Sequence, residues 1–235
     1  MVKGFVQSVQ SMGAVDGPGL RFVVFMQGCP LRCVYCHNPE TWTPGEGQPV
    51  APEELLEQVK RYRPYFGEQG GVTLSGGEPL YQADFAETFF RLLHTHGIHT
   101  ALDTSGVGKA EVVKRVLAHT DLILCDLKFP TEEGYQKYCG GSLRQTLNFL
   151  RITEEQGIPL WIRHVVAPGL TDAPESLRAV RELAESFSNL KKIEWLPFKN
   201  ICAVKYKKMG LSFPMESRAS YSQEMVEALL KAAGI

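Results

Sequence analysis

The chain has 235 residues, 25 Lys+Arg against 26 Asp+Glu and 44% hydrophobic residues, so its formal charge is −1 and it is long enough to bury a core without staples. That balance argues against a protein that finds nucleic acid or anionic membrane by bulk electrostatics. No segment approaches the roughly 18 consecutive apolar residues of a membrane span, and the start, Met1-Val2-Lys3-Gly4-Phe5, lacks the apolar stretch of a secretory leader. The expectation is a cytoplasmic chain forming one α/β domain over residues 1–235.

Six short runs read as strands, over residues 21–27, 71–74, 99–102, 122–127, 159–166 and 192–196. Most are nearly continuous in apolar residues, as strands of a parallel sheet buried on both faces are. Helical periodicity fills the gaps. Leu55, Val59 and Tyr62 share a stripe; Asp84 with Glu87 reads as a capping box ahead of Phe85, Phe89 and Leu92; Val112 to Leu117 and residues 143–155 mark two more helices. Leu177, Val180, Ala184 and Phe187 follow Pro174, and a last helix lies near residues 221–233. Strand and helix alternating about six times implies parallel strands joined by right-handed crossovers, either an open doubly wound sheet or an incomplete barrel. Both bind ligands at the carboxyl ends of the strands.

After the first strand comes Gly28-Cys29-Pro30-Leu31-Arg32-Cys33-Val34-Tyr35-Cys36-His37, which places three of the six cysteines within eight residues. A disulfide framework spreads its cysteines, whereas a tight cluster reads as metal binding or redox chemistry. Structural zinc wants four ligands, and adjacent Cys36 and His37 reach one tetrahedral ion poorly. Three thiolates suit a four-iron cluster with one iron left open; zinc and reactive or inert thiols are the alternatives. Cys125, Cys139 and Cys202 are too scattered for a second cluster and read as structural.

The second strand runs into Ser75-Gly76-Gly77-Glu78-Pro79, a turn whose glycines allow close approach to the backbone and whose carboxylate can accept from an ammonium. Asp103 with Thr104, and Asp126 with Lys128, follow the next two strands and point towards one mouth, where they can orient a ribose, pair with one another or hold a hard cation. Arg163, on the fifth strand, either lines a polar mouth or pairs with a buried acid.

The spacing C-x3-C-x-Tyr-C with the downstream GGEP resembles the radical S-adenosylmethionine superfamily. With Asp16-Gly17-Pro18-Gly19 before the first strand and Cys36-His37-Asn38-Pro39-Glu40-Thr41-Trp42 after the loop, it is similar to the glycyl-radical-enzyme activases over nearly its whole length. The resemblance implies a partial (β/α)6 barrel with a [4Fe-4S] cluster on Cys29, Cys33 and Cys36. Its open iron binds the amino and carboxylate groups of S-adenosylmethionine, and one electron releases a 5′-deoxyadenosyl radical that takes a glycine α-hydrogen. By the same resemblance, Tyr35, His37, Gly76, Gly77, Glu78, Asp103, Asp126, Lys128 and Arg163 contact the cofactor. Lys199, where the family usually has a His, is a further contact. Asp103, Thr104, Asp126 and the backbone oxygen of Leu124 hold a monovalent cation, and Asp16 meets the partner's peptide. No general acid or base is needed, so none is assigned. The implied partners are a glycyl radical enzyme, with pyruvate formate-lyase the first expectation, and a flavodoxin or ferredoxin-type reductant. Other readings are a different glycyl radical enzyme, a small-molecule target, or a cysteine-based zinc or redox regulatory module. Residues 37–124 contain no Cys, which leaves no ligands for an auxiliary cluster there.

Overall fold

The computed structural model describes residues 2–235. In chain order its elements are β1 (Gly4–Gly13), β2 (Arg21–Met26), β3 (Gln48–Val50), α1 (Pro52–Tyr62), β4 (Gly71–Gly76), α2 (Ala83–Thr95), β5 (His99–Thr104), α3 (Ala110–Leu117), β6 (Leu122–Asp126), α4 (Glu132–Cys139), α5 (Leu143–Glu155), β7 (Leu160–Val166), α6 (Pro174–Glu185), β8 (Leu190–Pro197), α7 (Ala203–Lys208) and α8 (Gln223–Ala232). The strands form one sheet in the order β3-β1-β2-β4-β5-β6-β7-β8. Neighbours from β2 to β8 run parallel. β1 runs antiparallel to β2 and to β3. β3 and β8 are its two edges, so the six parallel strands make an open partial barrel.

Alternation along the strands sorts the side chains into two layers. One face sends Phe22, Val24 and Met26 of β2, Val72 and Leu74 of β4, Leu102 of β5, Cys125 of β6 and Ile162 of β7 into the main core, beneath Leu55 and Val59 of α1, Phe85 and Phe89 of α2 and Val180 of α6. The concave face is apolar only in a middle layer, where Ala101, Leu122, Leu124 and Trp161 pack together. Towards the strand ends it turns polar, with Asp103, Asp126 and Arg163 in the same alternation.

The loop between β1 and β2 lies across this concave face. The carbonyl of Val15 accepts from Arg163 (3.4 Å), that of Asp16 from the Thr73 hydroxyl (2.7 Å) and that of Pro18 from Arg21 (3.3 Å). Arg21 is fully buried and has no carboxylate against it. It donates instead to Thr73 Oγ1 (2.6 Å) and to the carbonyls of Val72 (2.6 Å) and Gln69 (3.3 Å), plugging the amino-terminal end of the sheet. Burial lowers its pKa to about 10.

All six expected strands form. β1 and β3 are additions: β1 is exposed over Gln7–Gln10 and β3 has three residues, so neither carries a buried apolar run. The short polar helices α4 and α7 are likewise additions. The capping box expected at Asp84 and Glu87 is corrected. α2 starts at Ala83 behind Gln82 without a side-chain cap, and the two carboxylates reach instead to Arg115 on α3 (2.7 and 2.8 Å).

His164 on β7 is buried, with the Trp195 ring of β8 edge-on to it at 5.6 Å. Its Nδ1 lies 2.6 Å from the Leu127 carbonyl, and burial pushes its pKa down to about 4. The native state therefore keeps this ring neutral where the unfolded chain binds a proton near 6.5. Stability present above pH 6.5 is lost as the pH falls towards 4. Urea unfolding across that window should show His164→Gln with a pH slope shallower by close to one proton; an unchanged slope contradicts the assignment.

Candidate active site

A cavity of about 290 Å³ opens at the carboxyl ends of the parallel strands, and the three clustered thiols, Cys29, Cys33 and Cys36, all line it. The loop that carries them is fastened on two sides by backbone. Gly28 N donates to the Thr41 carbonyl (2.7 Å) and Cys29 N to that of Trp42 (3.2 Å); Arg32 N donates to Cys139 (2.8 Å) and Val34 N to Tyr138 (2.9 Å) at the end of α4. The Tyr206 hydroxyl of α7 donates to the Cys36 carbonyl (3.1 Å). Gly28 has φ of 92°, a conformation in which an L side chain is strained.

Burial pushes the thiol of Cys29 up to about 12 and that of Cys36 up to about 11. Cys33 goes the other way, to about 7, because the influence of the neighbouring Cys139 thiol outweighs its burial. The Cys139 carbonyl, accepting from Arg32 N, supports the loop. Cys125 is fully buried in β6, and the thiol of Cys202 sits 3.9 Å from the Lys199 carbonyl; both are structural, as expected.

Opposite the thiols stand the strand-end charges. Asp126, Arg163 and Glu194 lie in one row across β6, β7 and β8. Arg163 pairs with Asp103 Oδ2 at 3.2 Å and lies 3.5 Å from Glu194; Ser75 donates to the same Asp103 oxygen at 2.6 Å. Burial raises the Asp103 carboxyl to about 6, against the pull of Arg163. Burial works against ionisation of Asp126 too, but Lys128, 2.9 Å away, and Arg163 outweigh it and hold that carboxyl below the usual range. Asp16 lines the floor on the β1–β2 loop, and its carboxyl is raised by burial.

Tyr35, His37, Gly76, Gly77, Asp103, Asp126, Lys128 and Arg163, all expected as cofactor contacts, line this cavity. Glu78 does not. It is 1% exposed, and its carboxylate accepts from Leu80 N (3.0 Å), Thr104 Oγ1 (2.6 Å), and the Ser105 backbone (2.8 Å) and hydroxyl (2.5 Å). The expectation that it meets an ammonium in the mouth is corrected: its acceptors are already occupied, and it braces the end of β4 against the end of β5. Gly76 and Gly77 also answer to a different need than cofactor approach. A Cβ at Gly76 would stand 2.4 Å from Met26 N, and one at Gly77 would stand 2.4 Å from the Gly28 carbonyl, so packing against β2 and the thiol loop excludes side chains there.

One further expectation is corrected. Lys199 is not among the residues lining the cavity; its ammonium donates to the Tyr221 carbonyl at 2.7 Å. Of the residues expected around a monovalent cation, Asp126 Oδ2 pairs with Lys128, Asp103 Oδ2 pairs with Arg163, and the Thr104 hydroxyl donates to Glu78. Ser75, Ser105 and Trp42, which the sequence reading gave no role, also line the cavity. The polar residue directly before Gly76 and the Ser after Thr104 were the available signals.

The residue set fits an iron–sulfur cluster with an amino-acid-bearing cofactor beside it. Three thiols share the cavity with paired charges of both signs, and His37 Nε2 is buried there without a hydrogen-bond partner among the described residues. A model of the radical SAM superfamily matches residues 23–184. The chain is 42% identical to the pyruvate formate-lyase-activating enzyme of Clostridium pasteurianum, over 98% of this chain and 97% of that one. The chain belongs to the radical SAM superfamily and, within it, to the pyruvate formate-lyase-activating enzymes. The activating enzyme of Staphylococcus epidermidis is 41% identical, covering 97% of this chain and 94% of its own length. Streptococcus suis SuiB bound to S-adenosylmethionine shares the radical SAM fold, with a TM-score of 0.66 and 14% identity over 88% of this chain and 44% of that one. Radical SAM enzymes use a [4Fe-4S] cluster and S-adenosylmethionine.

If Glu78 is a brace, its loss is felt before any cofactor binds. Glu78→Ala leaves four buried donors unmet, and the protein without cluster or S-adenosylmethionine should lose about 3 kcal/mol or more in urea unfolding, on the order of two charge-assisted hydrogen bonds. Unaltered stability with weakened S-adenosylmethionine binding contradicts the brace and restores a direct contact.

Proposed function

We propose that this chain uses S-adenosylmethionine to place a radical on a backbone glycine of pyruvate formate-lyase. The observation that carries the reading is the sharing of one cavity by the three loop thiols and the strand-end charges, in a chain alike over its full length to named activating enzymes. Cys29, Cys33 and Cys36 hold the cluster, whose fourth iron has no protein ligand assigned. Bound together, cluster and cofactor supply one electron and a hydrogen-abstracting 5′-deoxyadenosyl radical.

The chain's own residues do the binding, orienting and shielding. The backbone of Gly76 and Gly77 and the Asp103 carboxylate offer acceptors for the cofactor's amino group. Lys128 and Arg163 offer donors for its carboxylate, and His37 Nε2 offers one more polar contact at the wall. Tyr35, 5% exposed, fills the wall behind Lys128. The open side of the partial barrel admits a loop of a folded partner, and the β1–β2 loop with Asp16 closes the floor beneath it, which keeps water from the reacting carbon. Asp16 is placed to accept from the backbone of that loop. Residues 1–235 act as one domain, and the electron comes from a flavodoxin or ferredoxin-type donor.

The test is electron paramagnetic resonance on iron-loaded protein, reduced by photoexcited deazaflavin, with S-adenosylmethionine and pyruvate formate-lyase. A glycyl radical signal on the partner is expected. Alanine at Cys29, Cys33 or Cys36 should remove both the cluster's absorbance and the signal. Cleavage to 5′-deoxyadenosine with a silent partner would keep the radical chemistry and overturn the partner.

A further inference from the structure

The functional reading requires an electron from outside the molecule, and the mouth cannot be its entrance while a partner's loop fills it. We propose that the outer wall of the thiol loop, formed by Trp42, Arg32 and helix α7, is the docking surface of an acidic one-electron donor protein. The proposal rests on that reading and adds the place and charge of the contact.

The wall is a pair of packed aromatic rings beside the Cys36 backbone. The Trp42 ring meets the Tyr206 ring edge-on at 5.8 Å, and the Tyr206 hydroxyl donates to the Cys36 carbonyl at 3.1 Å. The guanidinium of Arg32, an exposed residue, lies 5.1 Å over the Trp42 ring. Electron transfer weakens steeply with distance, and a donor seated here meets the Cys36 segment through the Trp42 and Tyr206 rings.

The rim is basic, unlike the mixed charges of the mouth. Residues 196–215 contain Lys199, Lys205, Lys207 and Lys208 and no acidic residue, in a chain whose net charge is −1. Lys205 fastens α7 to the loop through Asn38 (2.8 Å) and Glu40 (2.5 Å). Lys207 and Lys208 are exposed and have no ion-pair partner among the described residues. Beside them Ile201, Val204 and Met209 are 74%, 59% and 39% exposed. An apolar centre ringed by unpaired cations is complementary to an acidic protein surface, and such rims act chiefly on the rate of encounter.

The experiment is stopped-flow reduction of the iron-loaded protein by a reduced flavodoxin, with Lys207→Glu/Lys208→Glu beside the parent protein. The double variant should lower the second-order rate constant about tenfold at low ionic strength and flatten its salt dependence. Reduction by photoexcited deazaflavin, which is small and needs no docking, should be unchanged, as should 5′-deoxyadenosine formation driven by it. Three outcomes overturn the proposal: a flavodoxin rate within twofold of the parent, an equal loss with both reductants, or normal reduction with impaired activation of pyruvate formate-lyase, which would give this face to the substrate protein. Failure of the parent protein to cleave S-adenosylmethionine with deazaflavin would instead strike the functional reading itself, and this proposal with it.

Discussion

A buried carboxylate with no cation beside it must be met by hydrogen bonds on every side, and Glu78 is held in that way. Its four donors come from the turn after β4 and from the last residues of β5, so satisfying this one side chain fixes the two strand ends relative to each other. The rest of the mouth follows from that register. Thr104 in place sets Asp103 on the concave face; Asp103 receives Ser75 and Arg163; and Arg163 draws in Glu194 and the Val15 carbonyl. The β1–β2 loop is thereby laid across the lumen, and Asp16 comes to line the cavity that the thiols also line.

The charges of the mouth are arranged in balanced pairs. Removing one partner of a buried pair strands the other, which ties cofactor affinity and local stability together at Asp103, Asp126, Lys128 and Arg163. The thiol loop is held by the Thr41–Trp42 backbone on one side and by Tyr138 and Cys139 on the other, and Glu78 N ties it to the strand ends through the Gly28 carbonyl (2.9 Å). Two halves, one of sulfur and one of charge, share a single cavity. An incomplete barrel leaves the approach to that cavity open to a folded partner.

The parallel strands were legible because burial on both faces leaves continuous apolar runs, as in Leu122–Asp126. β1 was not, since its middle is exposed and its pairing depends on β2 and β3 rather than on its own pattern. The thiol loop and most strand-end contacts were legible from spacing and from their place after a strand. Glu78 was located correctly and given the wrong task, because a sequence shows that an acid is present but not which donors fold onto it. Lys199 failed similarly: its partner, the Tyr221 carbonyl, lies 22 residues away, just ahead of the last helix, and nothing in the pattern pairs the two.

The central claim is that this cavity removes a hydrogen atom from a glycine of another protein. It is tested most directly by supplying pyruvate formate-lyase grown with α-dideuterated glycine and weighing the 5′-deoxyadenosine released in one turnover. The account predicts one deuterium in the nucleoside for each glycyl radical formed. Unlabelled 5′-deoxyadenosine accompanying a full radical yield would contradict it.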